Sequence, residues 1–426
     1  MAELTPSPLT TGDELPVADA RAAIAAALVP LTPTAADTET LALTAALGRV
    51  LAADVVSPID VPAHDNSAMD GYALHGADLL ADAPTTLTAL PGTVFAGTPF
   101  TGAVARGQCL KIMTGAVMPP GLDTVVPKEL VTLDGDQVTL RAGVLKTGEN
   151  RRKQGEDLTR GRPALTAGRR LRPADLGLLA SLGFAEVTVF RRLKVALFST
   201  GDEVVAPGQP LPPGGIYDSN RFTLMAALQQ MGVDVLDLGL VPDDPAALTA
   251  VLQRAVREAD AVLTSGGVSM GDADYTRDVM AAMGQVAFWK VAMRPGRPFA
   301  FGPLQDGTHR AMLFALPGNP VAALVTFYAF AREALMVLGG ARPEPMPVLQ
   351  ARSVAAIRKR PGRTEYQRGI VERGADGLWQ VRITGSQGAG ILRSLSEANA
   401  LVVLGHDQGS VAAGEPVDVW LFDGLT

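Results

Sequence analysis

The most regular pattern along the chain is an alternation of short apolar runs with longer stretches of helical periodicity between residues 194 and 340. Apolar runs of this length are typical of strands buried on both faces, and strands that alternate with helices form parallel sheets. The pattern therefore predicts a doubly wound α/β domain, with a sheet covered by helices on both sides. Its runs, in order, are KVALFS, RFTLMAALQQM, VDVLDLGLV, PAALTAVLQRAV, DAVLTS, YTRDVMAAM, FWKVAM, MLFALP and PVAALVTFYAFAREALMVL.

Strand-like runs without intervening helices flank this region on both sides. Residues 54–149 alternate short β-rich runs with Gly and Pro, and an Asp-Gly-Asp sequence at 134–136 indicates a hairpin turn. These residues predict a separate β-rich domain. Residues 345–426 carry five more β-type runs after a Pro-rich seam at 342–347. They predict a small C-terminal β-barrel, with a sandwich as the alternative.

Helical segments are predicted at the start of the chain and between the two regions just described. Residues 16–29 read as a packed helix that Pro16 can begin and Pro30 ends. A second helix is predicted at 173–182, inside a connector that spans 150–193. The sequence therefore places helical and extended segments on both sides of the β-rich domain.

Composition narrows the class of protein. The 426 residues include 47% hydrophobic and 19% charged side chains, which is enough apolar surface for several cores and excludes a disordered chain. By length alone we expect about three domains. The formal net charge of −7 argues against a nucleic-acid-binding role, although residues 151–172 hold eight basic side chains against two acidic ones.

Cysteine and histidine are scarce. The single cysteine, Cys109, excludes an internal disulfide and a Cys-rich zinc site, and four scattered histidines argue against a His-based metal site. The N-terminal residues lack a signal-peptide pattern, and no uninterrupted apolar run reaches the roughly 18 residues that a membrane span needs. We therefore expect a soluble, cytoplasmic protein that does not enter a membrane.

Chemistry is expected at the carboxyl ends of the predicted strands, because ligands of open parallel sheets bind there. Five loops should converge on that edge, and each contains glycine, acidic or basic residues instead of neutral turn residues. These loops are 200–203, 242–244, 266–274, 294–297 and 318–320.

Two of the loops have features of anion sites. Small residues at 265–269 allow backbone N–H groups to approach an anion closely, although a Gly-Gly turn alone is a weak signal. In the sequence Pro-Gly-Asn-Pro at 317–320, Asn319 can cap the last helix and Pro320 fits its first position. Capping alone can explain this motif, but a helix N-terminus directed into the cleft also favours anions.

Acidic side chains are concentrated in the same loops. Carboxylates without His or Cys partners suit Mg²⁺, which prefers oxygen and often shares substrate phosphate. For each acid taken singly, a solvated turn or a helix cap is an equally good interpretation. The acids are Asp202, Glu203, Asp243, Asp244, Asp272 and Asp274.

A basic set lies between them in the chain. Lys290 and Arg294 are four residues apart and can share one face of a strand, and Pro-Gly then bends the chain before Arg297. Such a set suggests a small oxyanion or a phosphoryl group. The alternative is that the three bases form salt bridges with the neighbouring acids.

Eight polar segments combine motif-like residues in a fixed order along the chain. They are HDNSAMDGYA (64–73), KIMTGAVMPPGLDTVV (111–126), NRRKQGED (150–157), STGDE (199–203), IYDSNR (216–221), TSGGVSMGDADYT (264–276), KVAMRPGRPFAFG (290–302) and LPGNPVAA (316–323). Together they resemble the molybdopterin molybdenumtransferase family, which comprises bacterial MoeA and the related gephyrin E domain. The resemblance extends over nearly the whole chain.

The resemblance implies the last step of molybdenum cofactor synthesis. In that step adenylylated molybdopterin is hydrolysed, molybdate is inserted into its dithiolene and AMP leaves, with Mg²⁺ as cofactor. The resemblance also implies an elongated homodimer of four-domain subunits, in which the β-rich domain of one subunit closes the cleft of the other. A molybdopterin adenylyltransferase is then the expected upstream partner.

Four domains are assigned on this basis. Residues 10–53 and 150–193 form a discontinuous helical and extended connector domain. The remaining domains are the β-rich domain at 54–149, the α/β domain of molybdopterin-binding type at 194–340 and the barrel at 345–426.

Site residues follow from the resemblance, position by position. The catalytic positions are Asp65, Thr114, Asp157, Glu203, Asp243, Asp274 and Lys290, of which Asp65 and Thr114 are expected to act across the dimer. Asp243 and Asp274 are the expected metal ligands. Molybdate-binding positions are Arg294, Arg297 and Arg368, and the pterin- or nucleotide-binding positions are Ser265, Gly266, Gly267, Ser269, Pro317, Gly318, Asn319 and Pro320.

The chain departs from the family pattern at two places. Arg294 and Arg297 stand where many members have Lys, which keeps the charge but replaces a compact point charge with a planar fork. The Gln-Gly-Ser of the family is Gln-Gly-Ala at 387–389, so a hydroxyl that could bind molybdate is absent. Both departures concern the molybdate pocket and leave the activity class unchanged.

Other functions fit only parts of the sequence. A molybdopterin adenylyltransferase shares the α/β domain type but needs neither flanking β domain. A non-catalytic scaffold, like that of the gephyrin E domain, would not need the acidic and basic loops. KVALFSTGDE lacks the Gly-x-Gly-x-x-Gly turn of a dehydrogenase, and Ser67 has no plausible triad partners nearby.

Overall fold

The computed structural model describes residues 14–267, 275–344 and 346–422. The first helix, α1 (Val17–Ala27), starts after Pro16 and buries Ala20 and Ile24, in agreement with the expected helix. Three short strands follow it, namely β1 (Thr38–Ala42), β2 (Val55–Val56) and β3 (Asn66–Ser67).

A six-stranded sheet forms the β-rich region. Its strands are β4 (Gly71–Leu74), β5 (Thr85–Val94), β6 (Gln108–Ile112), β7 (Thr124–Pro127), β8 (Val131–Asp134) and β9 (Gln137–Leu140). The order is β7-β4-β6-β5-β9-β8, and only β5 and β6 run parallel. The hairpin expected at 134–136 is confirmed, because β8 and β9 pair there in antiparallel register.

After the β-rich region, the connector pairs with the segments that precede that region. The returning elements are β10 (Arg151–Arg152), β11 (Pro163–Leu165), α2 (Pro173–Ser181) and β12 (Glu186–Phe190). The strands pair antiparallel as β3–β10, β2–β11 and β1–β12. Pairing with the connector therefore continues as far as residue 67, beyond the boundary expected at 53. The exact domain limits stay a prediction.

The described residues of the α/β region form nine strands, five α-helices and one π-helical turn. In order they are β13 (Lys194–Thr200), β14 (Val204–Val205), β15 (Ile216–Tyr217), α3 (Asn220–Met231), β16 (Asp234–Val241), α4 (Pro245–Glu258), β17 (Ala261–Ser265), α5 (Tyr275–Met283), β18 (Ala287–Lys290), β19 (Met293–Arg294), β20 (Pro298–Asp306), β21 (His309–Leu316), α6 (Pro320–Thr326), a π-helical turn (Phe327–Ala331) and α7 (Arg332–Leu338).

The main sheet of this region has the order β16-β13-β17-β21-β20-β18. Successive residues of β13 alternate between two cores. Val195 and Leu197 pack on the side of α1, α3, α6 and α7, whereas Ala196 and Phe198 pack on the side of α4 and α5. Helices therefore cover both faces, which explains the uninterrupted apolar strands and confirms the doubly wound class.

Two details of the predicted sheet are wrong. The sheet is not wholly parallel, because β20 runs antiparallel to both β18 and β21. The run FWKVAM does not form one strand, since β18 ends at Lys290 and β19 pairs with a strand of the C-terminal barrel. Because β20 is antiparallel to both of its neighbours, β18 runs in the same direction as β21. The carboxyl ends of β13, β16, β17, β18 and β21 therefore lie at one edge of the sheet.

Among the described residues, one helical segment, Pro320–Leu338, is long and apolar enough to span a membrane by length and composition, which the sequence had not predicted. In the structure 83% of this segment is buried inside the protein. Val321, Phe327 and Phe330 belong to the same core as α1 and α3. The apolar character therefore serves the core of the α/β region.

A closed barrel forms the C-terminal region, which confirms the barrel over the sandwich. Its elements are β22 (Leu349–Ser353), β23 (Thr364–Arg373), β24 (Trp379–Ile383), α8 (Leu392–Glu397), β25 (Ala400–Leu404) and β26 (Pro416–Leu421). The sheet closes because β23 pairs with both β24 and β25. Val371, Val381, Val402 and Val419 fill its interior.

Candidate functional site

A cleft of about 1210 Å³ lies at the carboxyl edge of the main sheet, between the α/β region and the barrel. All five loops expected there contribute to its wall, through residues of 200–203, Asp243, 266–267, 294–297 and 317–320. The barrel adds Arg363 and residues of the segment 387–392. The predicted Ser269, Asp272 and Asp274 lie outside the described residues.

The Gly-Gly turn after β17 requires glycine at both positions. Gly266 and Gly267 have φ values of +94° and +67°. A Cβ on Gly266 would lie 2.6 Å from the Thr200 carbonyl oxygen, and one on Gly267 would lie 2.6 Å from Thr276 Cγ2. The Gly266 N–H donates to the Leu316 carbonyl at 3.1 Å, so this N–H is engaged by the sheet instead of facing an anion.

Asn220, the first residue of α3, joins two walls of the cleft. Its Nδ2 donates to Ser265 Oγ at 2.6 Å and to the Gly318 carbonyl at 2.6 Å. Its Oδ1 is buried and has no hydrogen-bond partner in the described part of the chain. Although the motif IYDSNR contains Asn220, the sequence reading assigned it no role.

The acidic side of the cleft is formed by Asp243 and Glu203. Thr200 Oγ1 donates to Asp243 Oδ1, and the Asp243 backbone N–H donates to Asp202 Oδ1 at 3.2 Å. These contacts fix the Asp243 carboxylate at the end of β13. Asp244 acts differently, since its Oδ2 accepts from the Ala247 N–H at 2.8 Å and caps α4.

The donor chemistry of this side fits Mg²⁺. No group of three or more His, Cys, Asp or Glu side chains among the described residues could enclose a metal ion. Mg²⁺ does not require one, because it keeps several waters and binds one or two carboxylates together with substrate phosphate. Asp243 and Glu203 line the cleft and offer only oxygen. The other expected ligand, Asp274, is outside the described residues.

The basic side of the cleft contains Arg294 and Arg297, both exposed. The third predicted base, Lys290, lies at the end of β18 and does not line the cleft. Lys290 Nζ lies 3.7 Å from Glu14 Oε1, and Arg297 pairs with the same carboxylate oxygen. Two of the three bases therefore form salt bridges, but with Glu14 of the N-terminal segment. Among the described residues, neither Lys290 nor Arg297 pairs with an acid of the neighbouring loops, which is what the alternative expected.

Arg368 is fully buried and does not line the cleft. Its guanidinium donates to Ser394 Oγ at 3.0 Å and to the backbone carbonyls of Ser386, Gln387 and Gly388 at 3.2, 3.2 and 2.9 Å. Burial, and next the charge of Arg294, lowers the pKa of Arg368 to about 10. The structure thus places this predicted molybdate ligand behind the loop that faces the cleft.

The segment 387–390 also caps the helix after β21. The Val321 N–H donates to the Ala389 carbonyl at 3.0 Å, whereas Asn319 makes no side-chain capping bond. The expected Asn319 cap is therefore wrong, because the barrel supplies the acceptor. Pro320 does occupy the first turn as expected. Gln387 and Ala389 line the cleft, with Ala389 at the position of the absent family hydroxyl.

Arg363 is a cleft residue that the sequence reading missed. It lines the cleft from the start of β23, and its Nε donates to the buried Glu365 at 2.9 Å. The sequence around Arg363 did not indicate a position in the cleft, because a basic residue in a turn between barrel strands is ordinarily exposed to solvent. Only the packing of the barrel against the α/β region reveals it.

Three predicted catalytic residues lie away from the cleft, in the β-rich region and the adjoining connector. Asp65 accepts from the Gln154 N–H at 2.8 Å and lies 3.4 Å from Arg151. Thr114 donates from both its N–H and its hydroxyl to Asp70, and these bonds lower the pKa of Asp70. Asp65, Thr114 and the exposed Asp157 are all absent from the cleft lining of the same chain.

Comparison with protein families matches three successive regions of the chain. Residues 15–183 match the MoeA N-terminal region (domain I and II). Residues 196–337 match a probable molybdopterin binding domain, and 350–422 match the MoeA C-terminal region (domain IV).

Individual relatives cover nearly the whole chain. A molybdopterin molybdenumtransferase of Haemophilus influenzae is 42% identical over 395 residues, which is 92% of this chain and 96% of that protein. A Nostoc protein of the same name is 37% identical over 97% of this chain and 95% of its own. The crystal structure of a molybdopterin biosynthesis MoeA protein from Pyrococcus horikoshii OT3 superposes with a TM-score of 0.81 at 29% identity, covering 96% of this chain and all of that one.

Proposed function

The chain belongs to the molybdopterin molybdenumtransferase family of molybdenum cofactor biosynthesis, and from this premise we propose the reaction that its cleft carries out. In this proposal the protein inserts molybdate into adenylylated molybdopterin and releases AMP in a Mg²⁺-dependent step. The observation that supports it is that Asp243 and Glu203 line the same cleft as Arg294 and Arg363, so that one cleft offers both carboxylates and guanidinium groups. Such a cleft can hold a metal–phosphate group and a free oxyanion together.

The acidic side would handle the phosphoanhydride. Asp243 and Glu203, with Asp274, would hold Mg²⁺, which when bound withdraws charge from the phosphate oxygens. Thr200 orients Asp243 by donating to one of its carboxylate oxygens. Lys290, at the end of β18, would compensate negative charge on the phosphate groups.

The basic side would hold molybdate until the dithiolene is free. Arg294 and Arg297 offer planar forks that bind oxyanions in bidentate fashion, and Arg363 adds a third guanidinium from the barrel. Arg368 would act indirectly by fixing the segment 386–388. Backbone groups of that segment would then replace the hydroxyl that Ala389 lacks.

We place the pterin and nucleotide along the loops 265–267 and 317–320, which Asn220 joins. Asp65, Thr114 and Asp157 would complete the site from the second subunit of a homodimer, because they do not line the cleft of their own chain. A molybdopterin adenylyltransferase would supply the substrate, and the cytoplasm would be the site of action.

The test is incubation of the purified protein with adenylylated molybdopterin, Mg²⁺ and molybdate, with AMP and active cofactor as readouts. We expect both products, and we expect Asp274→Asn to abolish AMP release while the protein remains a folded dimer. Unchanged AMP release by that variant would exclude the assigned role of Asp274. Consumption of ATP with molybdopterin as acceptor would instead indicate an adenylyltransferase, and absence of any turnover would indicate a scaffold.

A further inference from the structure

Three separate segments meet at the side-chain amide of Asn220, which lines the cleft. Asn220 is the first residue of α3, and its Nδ2 donates both of its hydrogens. One goes to Ser265 Oγ, at the end of β17, and the other to the Gly318 carbonyl in the loop after β21, each at 2.6 Å. Both donors of the amide are therefore used inside the protein.

The partners of Asn220 determine which way its amide faces. A carbonyl oxygen can only accept a hydrogen bond, so the atom that contacts Gly318 has to be Nδ2. Ser265 Oγ, which accepts from the same nitrogen, donates in turn to the Pro317 carbonyl at 3.5 Å. Two successive carbonyls of the loop, those of Pro317 and Gly318, are thus held from the same point.

The other atom of the amide shows that this arrangement is not the most stable one available. Asn220 Oδ1 is buried and accepts no hydrogen bond from the described residues. A buried acceptor without a donor lowers stability, because the loss of its contact with water is not compensated. What the side chain provides is therefore the placement of Nδ2 against the two loops.

This placement sets the orientation of one peptide group. The bond between Gly318 and Asn319 is trans, since the cis peptide bonds of the described chain precede Pro62 and Pro295. In a planar trans peptide the carbonyl and the N–H point in opposite directions. Asn220 holds the Gly318 carbonyl, so the Asn319 N–H points away from Asn220. No acceptor among the described residues takes this N–H, and Gly318 and Asn319 both line the cleft.

We propose that Asn220 is a positioning residue, which orients the Gly318–Asn319 peptide so that the Asn319 N–H donates to an oxygen of the bound substrate. This inference rests on the function proposed above and adds a specific donor to it. The acceptor is an oxygen of a phosphate group or of the pterin ring. Asn220 acts through the peptide and does not touch the substrate, because its amide hydrogens are used and its oxygen is buried.

The first test removes the N–H itself. Asn319 has a φ of −70°, which proline adopts without strain. Asn319→Pro therefore deletes the N–H, whereas Asn319→Ala deletes the side chain and keeps the N–H. We expect Asn319→Pro to bind ligand about tenfold more weakly than Asn319→Ala.

Two probes are titrated into the full-length protein by calorimetry, namely AMP and, in the absence of Mg²⁺, adenylylated molybdopterin. Weaker binding of both probes by Asn319→Pro assigns the acceptor to a phosphate group. Weaker binding of adenylylated molybdopterin alone assigns it to the pterin.

The second test changes Asn220. Asn220→Asp keeps the size of the side chain but places a carboxylate oxygen against the Gly318 carbonyl, so the peptide is no longer held. We expect about tenfold weaker binding at about pH 8, and a smaller deficit toward about pH 5, because a protonated carboxyl can donate again. Asn220→Ala removes the amide without adding a charge and should show the same loss at every pH.

Asn399→Asp is the matched control. Asn399 Nδ2 also donates to a backbone carbonyl, that of Val371 at 2.9 Å, but Asn399 lies in the barrel and does not line the cleft. This variant should bind both probes like the wild type at each pH.

The outcomes separate this inference from the function on which it rests. A wild-type protein that binds neither probe would contradict both. Binding by the wild type, together with equal affinities of Asn319→Pro and Asn319→Ala, overturns the inference alone. Wild-type affinity in both Asn220→Asp and Asn220→Ala overturns it as well.

Discussion

Arg368 Nη2 donates to the Gly388 carbonyl oxygen at 2.9 Å, so a buried strand residue holds the barrel segment that faces the cleft. The same nitrogen also donates to the Ser386 carbonyl, while Nε donates to Ser394 Oγ and Nη1 donates to the Gln387 carbonyl. Lysine at this position would keep the charge but could not satisfy four acceptors in one plane. The basic side of the cleft therefore depends on an arginine that does not touch its contents.

Arg368→Lys should lower the free energy of unfolding by about 2–3 kcal/mol, because buried carbonyls lose their donors. It should also raise the molybdate concentration needed for half-maximal insertion. Chemical denaturation and amide exchange at 386–390 measure the two effects. Arg393→Lys, at an exposed surface arginine on α8, should leave stability unchanged. Slow exchange of 386–390 in Arg368→Lys would contradict the holding role.

Glu14→Gln should lower the half-saturating molybdate concentration several-fold. The change removes the carboxylate that pairs with Lys290 and Arg297 and so makes the cleft more positive. The effect should fade as ionic strength rises, because exposed charges are screened. Titration of molybdate at two salt concentrations measures it, with Glu258→Gln on α4 as the control. An unchanged or higher requirement for molybdate would show that Glu14 does not set the charge of the cleft.

Gly267→Ala should destabilise the protein by about 1–3 kcal/mol and abolish activity, since its Cβ would collide with Thr276 in a left-handed backbone. Gly214→Ala is the matched control. Gly214 also has a positive φ, of +83°, but nothing lies within 4 Å of an added Cβ. The Gly214→Ala variant should lose only about 1 kcal/mol of its free energy of unfolding and keep full activity. Thermal melts measure the stability of both variants, and AMP release measures their activity. Equal losses of stability would show that the positive φ, and not the collision with Thr276, causes the effect.

Arg294→Ala should raise the molybdate concentration needed for half-maximal insertion by about tenfold or more, because it removes an exposed guanidinium from the cleft. AMP release without molybdate should change less. Arg393→Ala, at a surface arginine paired with Glu397 on α8, should change neither. An unaltered molybdate requirement in Arg294→Ala would remove this residue from the oxyanion site.

Cys109 should make stability fall with pH in the alkaline range. Burial raises the pKa of its thiol from 9.0 to about 12. Above about pH 9 the unfolded state therefore loses the thiol proton that the folded state still keeps. Below about pH 9 both states hold the proton, and the thiol does not reduce the free energy of unfolding. Between about pH 9 and pH 12 the free energy of unfolding declines by about 1.4 kcal/mol per pH unit. Denaturation of wild type and Cys109→Ala over this range measures it, and parallel slopes would contradict the prediction.

Periodicity predicted most elements of the α/β region because the spacing of apolar residues along the chain depends on whether one or both faces of an element are buried. It did not predict β20, whose sequence contains Pro298, Gly302 and Pro303 and reads as an interruption. It also treated FWKVAM as one strand. An apolar run indicates that residues are buried but not which sheet they join, and β19 joins the barrel.

The site was predictable where it follows the topology of the sheet. The loops after parallel strands share one edge, so 200–203, Asp243 and 317–320 meet in the cleft as expected. Contacts between distant segments were not predictable. Ala389 caps the helix in place of Asn319, and Glu14 pairs with Lys290, because both contacts depend on how separate regions pack.

The pairing of β3 with β10 places Ser67 opposite Arg151, where the chain enters and leaves the β-rich region. Partners in an antiparallel ladder have Cα atoms about 5 Å apart. Topologically the 83 residues between them are therefore an insertion, although they make up a fifth of the chain. Residues 115–118 of this insertion also hydrogen-bond back to residues 65–67. Excision of the insertion and closure of the gap by a short turn would therefore keep the β3–β10 pairing and the sheet order of the remaining protein, and would remove only the hydrogen bonds of residues 115–118 to β3 and Asp65.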